Sequence, residues 1–115
     1  MFENRIERSK SEALFEEAKA YFPGGVNSPV RAFKSVSGAP LFIKHGEGFT
    51  ITDEDENTYI DFCNSWGPLI LGHNNKQIKE SVIKTIQDGM SFGTPTTHGN
   101  ELGKFILDNN RFIDR

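Results

Sequence analysis

The stretch Leu41–Phe62, LFIKHGEGFTITDEDENTYIDF, decides the fold. Three runs rich in β-branched and aromatic residues, Leu41–His45, Phe49–Thr52 and Thr58–Phe62, are parted by Gly46-Glu47-Gly48 and by Asp53-Glu54-Asp55-Glu56-Asn57. Links this short join antiparallel neighbours, so the stretch predicts a three-stranded meander. In the third run Tyr59 falls on one face and Ile60 and Phe62 on the other, which predicts that one face is covered. The acidic link lacks the glycine at its sixth position and the glutamate at its twelfth that a hand-type calcium loop requires. It reads as a solvated turn, where Asp and Asn serve local hydrogen bonds.

On the N-terminal side, Ser9 with Glu12 fits a capping box, and Leu14, Phe15, Ala18 and Phe22 lie at helical spacing. The amphipathic helix they predict ends at Pro23. The loop that follows, Pro23-Gly24-Gly25-Val26-Asn27-Ser28-Pro29-Val30-Arg31-Ala32-Phe33, is neither helix nor regular strand. Its prolines fix φ and remove donors, while its paired glycines admit backbone angles closed to other residues. A loop this constrained holds Asn27, Ser28 and Arg31 in a fixed geometry, and arginine offers a planar fork matched to a carboxylate or phosphate.

On the C-terminal side, Cys63–His73 is irregular, punctuated by Trp66-Gly67-Pro68 and Gly72-His73. A helix capped by Asn74 or Asn75 is predicted to bury Ile78, Val82 and Ile86 and to end at Gly89. After the loop Ser91–Thr96, Thr97 caps a weaker helix through Leu102, Phe105 and Ile106 that contains Gly99 and Gly103. Arg111-Phe112-Ile113 reads as the start of a further strand. The chain stops at Arg115 in mid-element, an ending expected of a fragment.

Composition excludes several classes. The 115 residues fit one domain, with 16 acidic and 13 basic side chains and a net charge of −3. The bases are scattered, so there is no nucleic-acid footprint. The longest apolar run, Pro68–Leu71, is too short to span a bilayer, and Met1–Arg5 has no apolar core of a secretory signal. Cys63 is the lone cysteine, which excludes an internal disulfide and fits a reducing cytosol. His45, His73 and His98 lack zinc-ligand spacing and read as structural or solvated. No glycine-rich run ends in Lys-Ser or Lys-Thr. The residues alone describe an α+β piece with an anion-gripping loop and an aromatic wall.

Three segments carry the reading further: Pro23–Phe33, Asn64-Ser65-Trp66-Gly67-Pro68-Leu69-Ile70-Leu71-Gly72-His73, and Ser91-Phe92-Gly93-Thr94-Pro95-Thr96. Together and in register they resemble the glutamate-1-semialdehyde 2,1-aminomutases, within the class III aminotransferase family of fold-type I pyridoxal-phosphate enzymes. The resemblance runs from about Ser11 to Asp114. It implies an N-terminal helix, substrate loop and meander of the small domain over residues 1–63. Residues 64–115 would then open the α/β large domain. It implies conversion of glutamate 1-semialdehyde to 5-aminolevulinate for tetrapyrrole synthesis, with pyridoxal or pyridoxamine 5'-phosphate as cofactor.

By the same resemblance Ser28 and Arg31 hold the substrate carboxylate and Trp66 walls the pocket. The family's phosphate-cradling loop and Schiff-base lysine have no counterpart here, and none of the eight lysines sits in a matching context. No catalytic, cofactor-binding or metal-binding residue is therefore assigned to this chain, which alone is expected to be inactive. Family membership also implies a small-molecule substrate, a cytoplasmic homodimer with Ser91–Thr96 near the partner, and no nucleic-acid or membrane partner. The faces Leu14/Phe15/Phe22 and Leu102/Phe105/Ile106 are expected to be exposed in the isolated piece. Two other readings compete: another class III ω-amino acid or ornithine-type aminotransferase, and a non-enzymatic module binding an anion through Arg31.

Overall fold

A computed structural model of the chain describes residues 6–114, so Met1–Arg5 and Arg115 lie outside the described residues. The elements run α1 (Ser9–Ala18), β1 (Ile43–Glu47), β2 (Thr50–Asp53), β3 (Thr58–Ile60), α2 (Lys76–Ile86) and α3 (Thr97–Asn109). Single 3₁₀ turns occupy Pro23–Gly25, Pro29–Ala32 and Asn64–Trp66. The chain forms two compact units that divide between Lys79 and Glu80. The predicted helix–meander–helix order is present, in an α+β arrangement.

The meander is antiparallel in the order β1-β2-β3. A bulge between Ile43 and His45 shifts the β1–β2 register, so that Ile43 lies opposite Asp53 while His45 lies opposite Thr52. Ile51 pairs with Tyr59, which places Ile51, Asp53 and Tyr59 on one face. That is the covered face: Asp53 is fully buried, whereas Phe62 is 91% exposed.

The acidic link between β2 and β3 is the main departure from the sequence reading: it is a turn with the expected local Asp–Asn bonding, but Asp53 is buried and Asp55 reaches out of it to staple α1. Asp53 accepts hydrogen bonds from Asn57 N at 2.8 Å, Asn57 Nδ2 at 3.0 Å and Tyr59 Oη at 2.8 Å. Two residues on, the Asp55 carboxylate accepts from Lys10 N at 2.7 Å and Ser11 N at 2.9 Å. These are first-turn amides of α1, groups that a helix leaves without internal partners. The predicted Ser9/Glu12 capping box is not formed: the N-cap residue is Arg8, which makes no side-chain cap bond, and Ser9 N donates to Glu7 Oε1 at 2.9 Å. The next two amides are taken by a carboxylate more than forty residues away, favoured by the positive end of the helix dipole. Asn57 Nδ2 also donates to Glu7 O at 2.6 Å, and Phe42 N donates to Ser11 Oγ at 3.4 Å.

Helix α1 ends at Ala18, with Lys19–Phe22 forming turns before Pro23, so the helix is shorter than predicted. Asn75 caps α2 as expected, its Oδ1 accepting from Gln77 N at 3.1 Å and Ile78 N at 3.2 Å. In the second unit, Arg111 and Phe112 form a turn in place of the predicted strand. No strand among the described residues lies there to pair with it, and an extended segment without a ladder leaves its backbone groups unsatisfied. Leu102, Phe105 and Ile106 are exposed as predicted, as is Phe22. Leu14 and Phe15 are instead half-buried, with the Phe15 ring against Gly25.

Burial works to raise the Asp53 pKa, but the bonds from Asn57 and Tyr59 outweigh it and hold the carboxyl below its ordinary value of 3.8. A group depressed in the folded state contributes stability above its unfolded pKa, and that contribution is lost as pH falls through the folded value. The protein is therefore expected to lose stability below about pH 4. Asp53→Ala, which strands the Tyr59 and Asn57 donors, should lower stability by about 1–3 kcal/mol at pH 7. It should also flatten the acid limb, as read from urea midpoints at pH 7 and pH 3.

Candidate functional site

The loop after α1 is shaped by its glycines and prolines. Pro23 and Pro29 each open a 3₁₀ turn, where a missing N–H is harmless. Gly25 has φ +73°, and a Cβ there would come within 2.6 Å of the Phe15 ring, so only glycine lets the loop close onto α1. The second turn brings Arg31 back over Asn27, and Arg31 Nη1 donates to Asn27 Oδ1 at 2.8 Å. Ser28 acts through its main chain, its carbonyl accepting from Arg31 N at 3.0 Å.

Asn27 and Arg31 stand at the polar side of a cavity of about 260 Å³. Phe22, Val26, Leu41 and Phe42 supply much of its apolar wall. The guanidinium is exposed, with one edge tied to Asn27 and its remaining donors turned to solvent or a ligand. A fixed fork at the lip of an apolar cavity suits a small carboxylate bearing a short carbon chain.

Trp66, the third predicted site residue, does not line this cavity. It is 71% exposed in the turn Asn64–Trp66. Asn64, Ser65 and Trp66 have φ of 49°, 50° and 68°, three consecutive non-glycine residues in the left-handed region. Asp61 feeds this turn: its Oδ1 accepts from Cys63 N at 2.7 Å and Asn64 N at 3.2 Å. Its Oδ2 lies 2.7 Å from His73 Nε2. A carboxylate only accepts, so Nε2 carries the proton in this pair. The bond from His73, followed by that from Cys63 N, holds the Asp61 carboxyl below the usual range.

The sequence reading placed Arg31, Ser28 and Trp66 together and left His73 as structural or solvated. Within this unit the structure joins Arg31 to Asn27 and the cavity, and joins the Trp66 turn to Asp61 and His73. The bonds of Asp61 to Cys63 N and Asn64 N are local, as Asp commonly makes at turns, whereas its pairing with His73 twelve residues away carried no signal in the sequence. No group of three or more potential ligands able to hold a metal occurs among the described residues. The cavity lining includes one cation, Arg31, and no lysine. These residues do not by themselves make a pyridoxal-phosphate site.

Comparison with known proteins decides the family. The family description "Aminotransferase class-III" matches residues 33–108. The chain belongs to the class III aminotransferases. It is 55% identical over 100 residues to glutamate-1-semialdehyde 2,1-aminomutase 1 of Listeria welshimeri serovar 6b, covering 87% of this chain and 23% of that protein. Among solved structures it resembles an omega-transaminase from Sphaerobacter thermophilus, with TM-score 0.77 and 33% identity over 85% of this chain and 22% of that one. It also resembles a transaminase with PLP bound, with TM-score 0.82 and 32% identity over 91% of this chain and 24% of that one. The chain thus spans about a quarter of the length of the proteins it matches. Class III is a pyridoxal-phosphate-dependent family, which agrees with the fold class read from the sequence. No helix among the described residues is long and apolar enough to cross a membrane.

Gly25→Ala is expected to lower stability by about 1–2 kcal/mol from the left-handed backbone alone. Displacement of Phe15 adds to this, and the cavity beside it should distort. Thermal melts read the first effect, and weaker carboxylate binding in the intact protein reads the second.

Proposed function

We propose that the protein to which this sequence belongs is a glutamate-1-semialdehyde 2,1-aminomutase, forming 5-aminolevulinate for tetrapyrrole synthesis. The observation that carries this reading is the identity of 55% over 100 residues to the Listeria welshimeri aminomutase and of 54% over 100 residues to a second aminomutase, from Listeria monocytogenes. The cavity supports it independently, since an arginine fork above apolar walls matches a small substrate bearing a carboxylate.

In this reading Arg31 grips the substrate carboxylate, with Asn27 holding the guanidinium in place. Ser28 assists from the start of the same turn, and Trp66 forms a rigid aromatic wall that excludes water. Residues 1–63 belong to the small domain and residues 64–115 open the large one. Pyridoxal or pyridoxamine 5'-phosphate supplies the electron sink when bound, held by residues other than those described here. The protein acts as a cytoplasmic homodimer.

The test is product formation by the intact protein given glutamate 1-semialdehyde and no separate amino donor. Accumulation of 5-aminolevulinate is the expected result. Strict dependence on a second keto acid would instead make it an ω-transaminase, the activity named for the Sphaerobacter thermophilus relative. Arg31→Ala should lower kcat/KM by about 10- to 100-fold, the worth of a hydrogen bond to a charged group. Arg31→Lys should recover only part of this, because an ammonium lacks the planar fork.

A further inference from the structure

The turn that carries Trp66 is held in an unfavourable backbone conformation by groups outside it. Asn64, Ser65 and Trp66 are three consecutive left-handed residues; asparagine tolerates that region, but Ser65 and Trp66 each cost on the order of 1–2 kcal/mol. Such strain persists only where the surroundings over-determine it. Packing of the indole is not the restraint, because Trp66 is largely exposed.

The turn makes main-chain bonds of its own, from Trp66 N to Cys63 O and from Gly67 N to Asn64 O, both at 2.9 Å, and the side chain that adds restraint from outside it is Asp61. One carboxylate oxygen takes the two amides that lead into the turn, Cys63 N and Asn64 N. The other is bound by His73, and the pair is well shielded, with 8% of the Asp61 side chain and 21% of the His73 side chain accessible. His73 is in turn fixed to the sheet. It exchanges two main-chain bonds with Gly48, at 3.0 and 2.7 Å. Its ring also lies flush against Gly46, where a Cβ would approach it to 2.8 Å. The β1–β2 hairpin, His73, Asp61 and the Trp66 turn therefore form one mechanical chain.

We propose that Asp61 and His73 are positioning residues that fix the Trp66 indole relative to the β1–β2 hairpin. Their relevance to catalysis rests on the aminomutase reading, in which Trp66 walls the substrate pocket. Asp61 touches no substrate: it acts by holding the turn, and His73 acts by holding Asp61. The geometric claim about the indole does not depend on the reaction.

The test labels the intact protein with 5-fluorotryptophan and assigns the Trp66 ¹⁹F resonance by Trp66→Phe. Spectra are taken well below the melting temperature of every variant. Asp61→Ala and His73→Ala are expected to shift and broaden the Trp66 line. His73→Gln keeps an N–H donor of similar reach and should restore a line close to wild type. In the aminomutase assay, Asp61→Ala should raise KM for glutamate 1-semialdehyde about tenfold, with kcat changed much less.

A Trp66 line unmoved by both alanine variants would overturn the proposal. Equal disturbance by His73→Gln and His73→Ala would also overturn it, since bulk packing would then explain the effect. A shifted line with unchanged KM would overturn its catalytic half. If the wild-type protein forms no 5-aminolevulinate, the functional reading fails, and the fluorine result alone decides whether Asp61 and His73 position the indole.

Discussion

A carboxylate taken out of water destabilises a fold unless donors replace its lost hydration, and Asp53 meets that condition through Asn57 and Tyr59. Around it, the link between β2 and β3 becomes rigid enough for Asp55 to reach across and bind the first-turn amides of α1. Ser11, the residue so captured, is itself fully buried. Hydrophobic burial in this unit is slight: among the described residues the buried apolar side chains are Ala18, still 9% accessible, and Pro40. The polar staple therefore sets the position of α1 on the sheet, and with it the position of everything attached to α1.

What is attached is the carboxylate-sized cavity. Ala18 and Phe22, at and beyond the end of α1, line one side, while Leu41 and Phe42, leading into β1, line another. Arg31 sits between them on a loop that Gly25 lets fold back against Phe15. A second polar link, from Asp61 to His73, ties the Trp66 turn to the same hairpin. The meander is thus a frame from which two carboxylate-centred clamps hold two loops. Loops fixed by a rigid scaffold are where recognition groups are usefully placed.

Much of this frame was legible in the sequence, because it rests on local signals. Short glycine and acidic links predicted the meander, Asn75 predicted the start of α2, and proline with glycine predicted the turns holding Arg31. The strand boundaries moved by one or two residues, and in β1 a bulge at Lys44 inserts a residue that alternation cannot reveal. The staple was not legible. Asp53 and Asp55 sit in a run of acids that looks like any solvated turn, and the partners of Asp55 lie on α1, some forty-five residues earlier. The capping box Ser9/Glu12 gave a plausible local answer, which the tertiary cap displaced. Asp61 was missed for the same reason: the partner that gives it meaning is remote in sequence. Within the candidate site, Arg31 and its loop were readable, whereas the support beneath Trp66 was not.

Asp55 holds α1 in place from the far end of the hairpin. Amide hydrogen exchange at Lys10 and Ser11 in the intact protein tests it most directly, since first-turn amides otherwise exchange freely. Both amides are expected to show measurable protection at pH 7, lost in Asp55→Ala while the β2–β3 amides stay protected. Exchange at unprotected rates in the wild type, or protection that survives Asp55→Ala, would contradict it.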